Sequence, residues 1–259
     1  PAAEAGTPAV SVPAGCSTYS LLEQMGTTGK EPYPAVTQDD WVRGPMTATV
    51  TIIEYSDFQC VNCAIIAPEM EQLKGAFPKE VRFVFRPFPL VSLHDKAALA
   101  TQAAEAAGLQ GKFWEMHDLL FSKQEQWAIL SIDQFQSWLV EQAGSLKLDQ
   151  EKFKIDLNSE ALVQKARAAW NEGLALGLKG TPSLVLNGRQ VTNFPGDFWS
   201  LSALVKLYLL EKRQFATCPT MTIDQSKNYV ATLKTKKGDI VIQLFPDKAP
   251  LAVNNFVFL

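Results

Sequence analysis

Cys60 and Cys63 stand with two residues between them, just after a stretch, Ile52-Ile53-Glu54-Tyr55, that reads as a buried strand. Two thiols at this spacing can close into a small disulfide ring and reopen. The thiolate is the reactive form of cysteine, and an ordinary thiol is mostly protonated at neutral pH. The residues after Cys60 read as a helix, so Cys60 sits where the helix dipole and unpaired N–H groups favour negative charge. Its pKa should fall, which makes Cys60 the attacking sulfur and Cys63, one turn deeper, the resolving one. Metal binding and a purely structural bridge are the competing uses. A zinc site usually draws on two further Cys or His ligands, and the two histidines, His94 and His117, show no ligand partner in the sequence. A ring this small constrains little chain entropy, which weighs against a structural role. No metal and no cofactor is expected. Glu54 is out of place on an apolar strand unless it works or is well paired; a strand-edge carboxylate facing water is the other reading.

The elements that must position these groups follow an α/β pattern. A first strand is expected over 48–55, a helix from the cysteines through Leu73 with a kink at Pro68, and a second strand over 81–85. Helical periodicity then dominates 95–178, with helices expected at 96–107, 112–121, 132–143, 150–157 and 160–178. Ser92, Ser131 and Asp149 are candidate N-terminal residues for these helices. Residues 180–191 read as a hairpin around Asn187-Gly188, and 198–210 as an amphipathic helix. His94 reads as a capping or flanking residue, and His117 as a packed one.

The chain has 259 residues, 47% of them hydrophobic, and a net charge of −3, so nothing points to nucleic acid or a polybasic membrane surface. No apolar run is long enough for a transmembrane helix. Residues 1–15 lack the basic and apolar regions of a signal peptide, and Pro at position 1 suggests that a targeting segment has been removed. Residues 1–40, rich in Pro, Ala, Gly, Ser and Thr, read as an arm or linker. The remaining cysteines, Cys16 and Cys218, are read as a structural bridge, with two free thiols as the alternative.

The run Glu54-Tyr55-Ser56-Asp57-Phe58-Gln59-Cys60-Val61-Asn62-Cys63 resembles the DsbA-like branch of the thioredoxin superfamily. Pro68, Gly180-Thr181-Pro182 and Gly111-Lys112-Phe113-Trp114-Glu115-Met116-His117 extend the resemblance, which covers about 41–212. It implies a thioredoxin-like fold with an inserted helical subdomain. It also implies a cis Thr181–Pro182 bond facing the cysteines, with the Thr181 backbone pairing with substrate. Glu54 then corresponds to the family's buried acid, accepting the proton of Cys63. The dipeptide Val61-Asn62 departs from the His that precedes the second Cys in strongly oxidising members and from the Gly-Pro of thioredoxins, so an intermediate reduction potential is expected.

A second resemblance covers 228–259. Tyr229-Val230-Ala231-Thr232-Leu233-Lys234-Thr235, Gly238-Asp239-Ile240-Val241-Ile242-Gln243-Leu244-Phe245-Pro246 and Val253-Asn254-Asn255-Phe256 resemble the start of a cyclophilin-type peptidyl-prolyl isomerase. Only an incomplete hairpin and helix fragment of that barrel is recognised, and no isomerase activity is expected from it. The expected organisation is an arm at 1–40, a DsbA-like domain at 41–215 with its helical insertion at about 95–178, a linker at 216–227 and the cyclophilin-like fragment at 228–259. The expected function is thiol–disulfide exchange on unfolded or reduced polypeptides outside the cytoplasm, with disulfide formation favoured and a membrane redox partner. Self-association through the fragment is a further expectation. A reductase or isomerase, and a non-redox chaperone, are the alternatives.

Overall fold

The computed structural model describes residues 27–30, 33–192, 196–211 and 219–258. These fall in two compact units, one up to residue 211 and one from 219 on. The first unit is built on a six-stranded sheet. Its strands are β1 (Thr27–Lys30), β2 (Trp41–Arg43), β3 (Val50–Ser56), β4 (Val81–Pro87), β5 (Ser183–Leu186) and β6 (Arg189–Val191), in the order β1-β6-β5-β3-β4-β2. β3 and β4 run parallel, and the other neighbours are antiparallel. A parallel pair needs a crossover, and α1 (Val61–Ala76) supplies it, continuing through Pro68.

β3 lies near the middle of the sheet and is buried on both faces. Successive strand residues point to opposite faces. Val50 and Ile52 therefore pack with Phe83 and Phe85 in the core that includes α1, while Ile53 and Tyr55 pack with Val84 and Val185 on the other side. Glu54 shares the parity of Val50 and Ile52, so its carboxylate faces the α1 side.

Between β4 and β5 lies the helical subdomain: α2 (Ala97–Gly108), α3 (Phe113–Ser122), α4 (Gln124–Trp127), α5 (Ile132–Ser145), α6 (Gln150–Leu157) and α7 (Glu160–Ala175). Ser131 closes a capping box with Gln134, and the Asp149 side chain accepts from the Lys152 N–H. Ser92 does not cap α2, whose N-cap is Lys96, and Ser159, which the sequence reading missed, caps α7. The turn from β5 to β6 has positive φ at Asn187 (48°) and Gly188 (81°), the pairing that a two-residue hairpin loop requires. Helix α8 (Phe198–Glu211) completes the unit.

Within the stretch read as an arm, the described residues 27–30 and 33–40 depart from that expectation. β1 pairs with β6, and residues 34–40 hold a buried cation: Arg86 donates to Asp40 at 2.7 and 2.9 Å, to the Pro34 and Ala35 carbonyls at 3.0 and 2.9 Å, and to the Tyr55 hydroxyl at 2.9 Å. A buried guanidinium needs all its donors satisfied, and the loop before β2 does this. The Cys16–Cys218 bridge falls outside the described residues.

One close approach fixes how α7 seats on the sheet. A Cβ at Gly173 would lie 2.2 Å from the buried ring of Phe88, which stacks on Trp170. Ala gains about 1 kcal/mol of helix propensity over Gly, but overpacking costs about 1–3 kcal/mol, and the ring is itself buried, at 1% exposure. Gly173→Ala is expected to lower stability by up to about 2 kcal/mol in denaturant titration.

The second unit holds β7 (Tyr229–Thr235) and β8 (Gly238–Leu244), paired antiparallel, and α9 (Pro250–Phe258). Asn254 ties α9 to the preceding segment, accepting from the Thr222 N–H at 2.7 Å and donating to the Thr220 carbonyl at 3.0 Å. No helix among the described residues is long and apolar enough to cross a membrane.

Candidate functional site: a dithiol at a helix start

Cys60 is the N-cap of α1, with extended backbone (φ −72°, ψ 123°) and no side-chain cap. The first N–H groups of the helix are thus open to its sulfur. Cys63 is fully buried one turn in, Cys60 is 8% exposed, and the two stand as free thiols. Thr181–Pro182 is cis, and as a thiol Cys60 donates to the Thr181 carbonyl at 3.4 Å. The structure therefore brings together Cys60, Cys63 and Thr181-Pro182, which lie more than a hundred positions apart in the chain.

Their protonation is split. The Cys60 thiol is pulled down to about 5, chiefly because its thiolate accepts a hydrogen bond from Cys63, with the N–H groups of Cys63 and Asn62 adding to it. Cys63 is pushed well above an ordinary thiol by burial, by its hydrogen bond to Cys60 and by the charge of Glu54. Glu54 is 1% exposed, and burial pushes its carboxyl up to about 7, the charge of Cys60 adding to that. Glu54 is thus a buried acid rather than a strand-edge one.

Several positioning residues escaped the sequence reading. The fully buried Asp57 carboxylate accepts from the Gln59 N–H and the Leu90 N–H, each at 2.8 Å, and lies 2.8 Å from His94 Nδ1, which locks the loop into α1. Gln59 accepts from the Lys96 N–H at 2.7 Å. Gln124 Nε2 donates to the Phe58 carbonyl at 2.7 Å and the Cys60 carbonyl at 3.0 Å, joining α4 to the cysteine loop. Asp57, within an Asx-type turn, carried a local signal; Gln124, which acts across 64 positions, carried none. His117 is packed among Phe85, Phe121 and Trp114 at 4.6, 4.9 and 5.0 Å, in line with the sequence reading.

Beside Cys60 an open groove of about 680 Å³ runs along α1, α3 and α4, lined by Val61, Ile65, Pro68 and Phe121 among others. Val61 and Ile65 are 65% and 61% exposed, so the rim of the dithiol is apolar. Among the described residues no group of three or more His, Cys, Asp or Glu could hold a metal ion.

The chain is similar to the Na(+)/H(+) antiporter NhaA 3 of Salinispora tropica, 34% identical over 177 residues, covering 64% of this chain and 24% of that protein. It is also similar to the Na(+)/H(+) antiporter NhaA of Herminiimonas arsenicoxydans, 32% identical over 158 residues, covering 61% and 24%. The chain thus spans about a quarter of the length of these curated relatives. Among solved structures it resembles oxidised BdbD from Bacillus subtilis (TM-score 0.56, 24% identity, 65% of this chain and 91% of that one). It likewise resembles a thioredoxin-like oxidoreductase from Silicibacter pomeroyi (0.54, 26%, 66% and 92%) and alpha-DsbA1 from Wolbachia pipientis (0.58, 17%, 67% and 92%). The thioredoxin family profile matches residues 36–206, and the α/β fold with its inserted helices has DsbA-like neighbours; the chain belongs to the thioredoxin family.

Proposed function

We propose that this protein is a thiol–disulfide oxidoreductase acting on cysteine-containing polypeptides through Cys60 and Cys63, with disulfide formation favoured. The observation that carries the reading is the split within the pair: Cys60 is held down to about 5 while Cys63, beside a buried acid, is held well up. In the oxidised pair, a substrate thiolate attacks Cys60 Sγ, forming a mixed disulfide. The Cys60–Cys63 bond breaks, and Cys63 leaves with the electron pair and takes a proton from Glu54. A second substrate thiolate then attacks the substrate sulfur and expels Cys60 as a thiolate. A low-pKa thiol is the better leaving group, so this direction is favoured. In reverse, Cys60 attacks a substrate disulfide, and Glu54 takes the Cys63 proton so that Cys63 can resolve the intermediate. A carboxyl near 7 can serve both steps at neutral pH.

Substrate would lie along the apolar groove and against the Thr181 backbone as an added strand. Regeneration of the disulfide needs an oxidant, which this reading assigns to a membrane redox partner, and an oxidising compartment outside the cytoplasm. Residues 228–259 are read as the opening of a cyclophilin-like unit, supported by the order of β7, β8 and α9; the bare hairpin edges would serve self-association.

Equilibration with glutathione buffers tests the reading. A two-electron potential between about −270 and −120 mV is expected for the Cys60–Cys63 pair. A pair that fails to exchange with glutathione would sink the proposal, and a potential at the thioredoxin end would reverse the direction favoured.

A further inference from the structure

Glu54 Oε1 and His117 Nε2 are among the buried polar atoms without a hydrogen-bond partner, as are Ser56 Oγ and Thr181 Oγ1. Glu54 and His117 are 1% and 4% exposed, and both line one narrow cleft, walled by Met70 and Phe83, with room for about one water molecule. Orphaned polar atoms inside a protein are costly, and a water in the space that both residues line would offer each of them a partner. The other ring nitrogen of His117, Nδ1, lies 2.8 Å from Asp118 Oδ1. A carboxylate can only accept, so Nδ1 carries the hydrogen and Nε2 presents its lone pair to the cleft. Asp118 is half-exposed and also receives Arg43 Nη2 at 2.6 Å, so the far end of this chain of groups reaches solvent.

We infer that His117 is a proton-relay residue for Glu54, joined to it through a water in the shared cleft and passing the proton to solvent at Asp118. This rests on the reading that Glu54 exchanges a proton with Cys63. The Cys63 proton moves to the Glu54 carboxylate, and then through the water to His117 Nε2. The imidazolium releases its Nδ1 proton to Asp118 and so to bulk water, leaving the hydrogen on Nε2; the reverse transfer, when Cys63 leaves and draws a proton from Glu54, restores the starting tautomer. No electrons move in these steps. The other charged groups facing the cleft are Arg43 from β2 and Glu71 and Lys74 from α1. Glu71 is held by Arg43 at 3.0 Å and Lys74 at 2.6 Å, so its carboxylate is already engaged at the mouth. Burial, with Arg43 nearby, holds the imidazole below its ordinary pKa. Its charged form is therefore transient, as a relay needs.

The test is the single-turnover rate at which Cys63 resolves a mixed disulfide on Cys60, measured in the full chain from pH 5 to 8. Wild type, Glu54→Gln, His117→Gln and Asp118→Asn are compared, with Cys60 attack measured separately. His117→Gln is expected to slow resolution about tenfold or more while leaving Cys60 attack unchanged. Its rate should rise with imidazole buffer concentration, whereas the wild-type rate should not. Asp118→Asn, at a half-exposed site, is expected to slow resolution in the same direction and serves if His117→Gln does not fold. Slow resolution in Glu54→Gln with wild-type rates in both other variants overturns the relay alone. A wild-type rate in Glu54→Gln overturns the relay and the role of Glu54 together. Slowing of Cys60 attack and resolution alike, without buffer dependence, marks His117 as structural and also overturns the relay.

Discussion

Cys60→Ala is expected to abolish disulfide exchange with a dithiol peptide, a loss of at least about 10³-fold, since no other described thiol is placed to receive the attack. The same substitution should remove a thiolate absorbance that titrates near pH 5 in the reduced protein, because the group held there is Cys60. Cys63→Ala should behave differently. The mixed disulfide on Cys60 still forms but cannot be resolved from within, so it accumulates and is visible by mass. A thiolate midpoint near 9 in the wild type would mean that the helix N–H groups and Cys63 do not stabilise the Cys60 anion. Suppression of aggregation by the apolar groove, if the protein grips unfolded chains, should survive Cys60→Ala. That outcome separates a binding role from a redox one.

Glu54→Gln carries the second large effect, on stability as well as on rate. The Glu54 carboxyl rises from 4.5 to about 7 on folding because it is buried. The folded state therefore holds this proton more tightly than the unfolded state does. Its contribution to stability is fully present below pH 4.5 and is lost as pH rises through about 7. A shift of this size corresponds to about 3 kcal/mol. Gln cannot ionise. The stability difference between wild type and Glu54→Gln should thus move by about 3 kcal/mol between pH 4 and pH 8, in favour of the variant at pH 8. Denaturant titrations of the oxidised proteins isolate the part of this contribution that comes from burial, its largest cause, because the Cys60 and Cys63 thiols neither titrate nor carry charge in the disulfide form. A difference flat with pH would show that Glu54 is not a buried acid.

The local code was legible where neighbours in sequence decide the structure. The apolar run at β3, the cysteines at the start of α1, the capping box at Ser131 and the Asn187-Gly188 turn could each be read within a few residues. Glu54 was legible as an anomaly, because a carboxylate on an apolar strand demands a reason. The β3 boundaries differ by one or two residues from expectation, and the short α4 was missed, because four residues carry too little periodicity to read. The arm was misread for another reason. Pro34 and Ala35 look like linker by composition, yet their carbonyls satisfy Arg86, and nothing local to residues 34–40 announces a partner about fifty positions away.

The sequence by itself determined the spacing of the two cysteines at the start of a helix, the buried strand behind them, the alternation of helices and strands and the α/β class. These follow from residue types and spacings, since period-2 and helical patterns and helix-start positions are encoded within a turn or two of chain. Tertiary structure alone decided which distant groups serve that pair. It put the Thr181 carbonyl on Cys60, hung the cysteine loop from Gln124, buried Asp57 against His94 and set Glu54 and His117 in one cleft. Each of these meetings depends on where the inserted helices come to rest against the sheet. That placement is set by the packing of side chains far apart in the chain, such as Phe88 against Gly173.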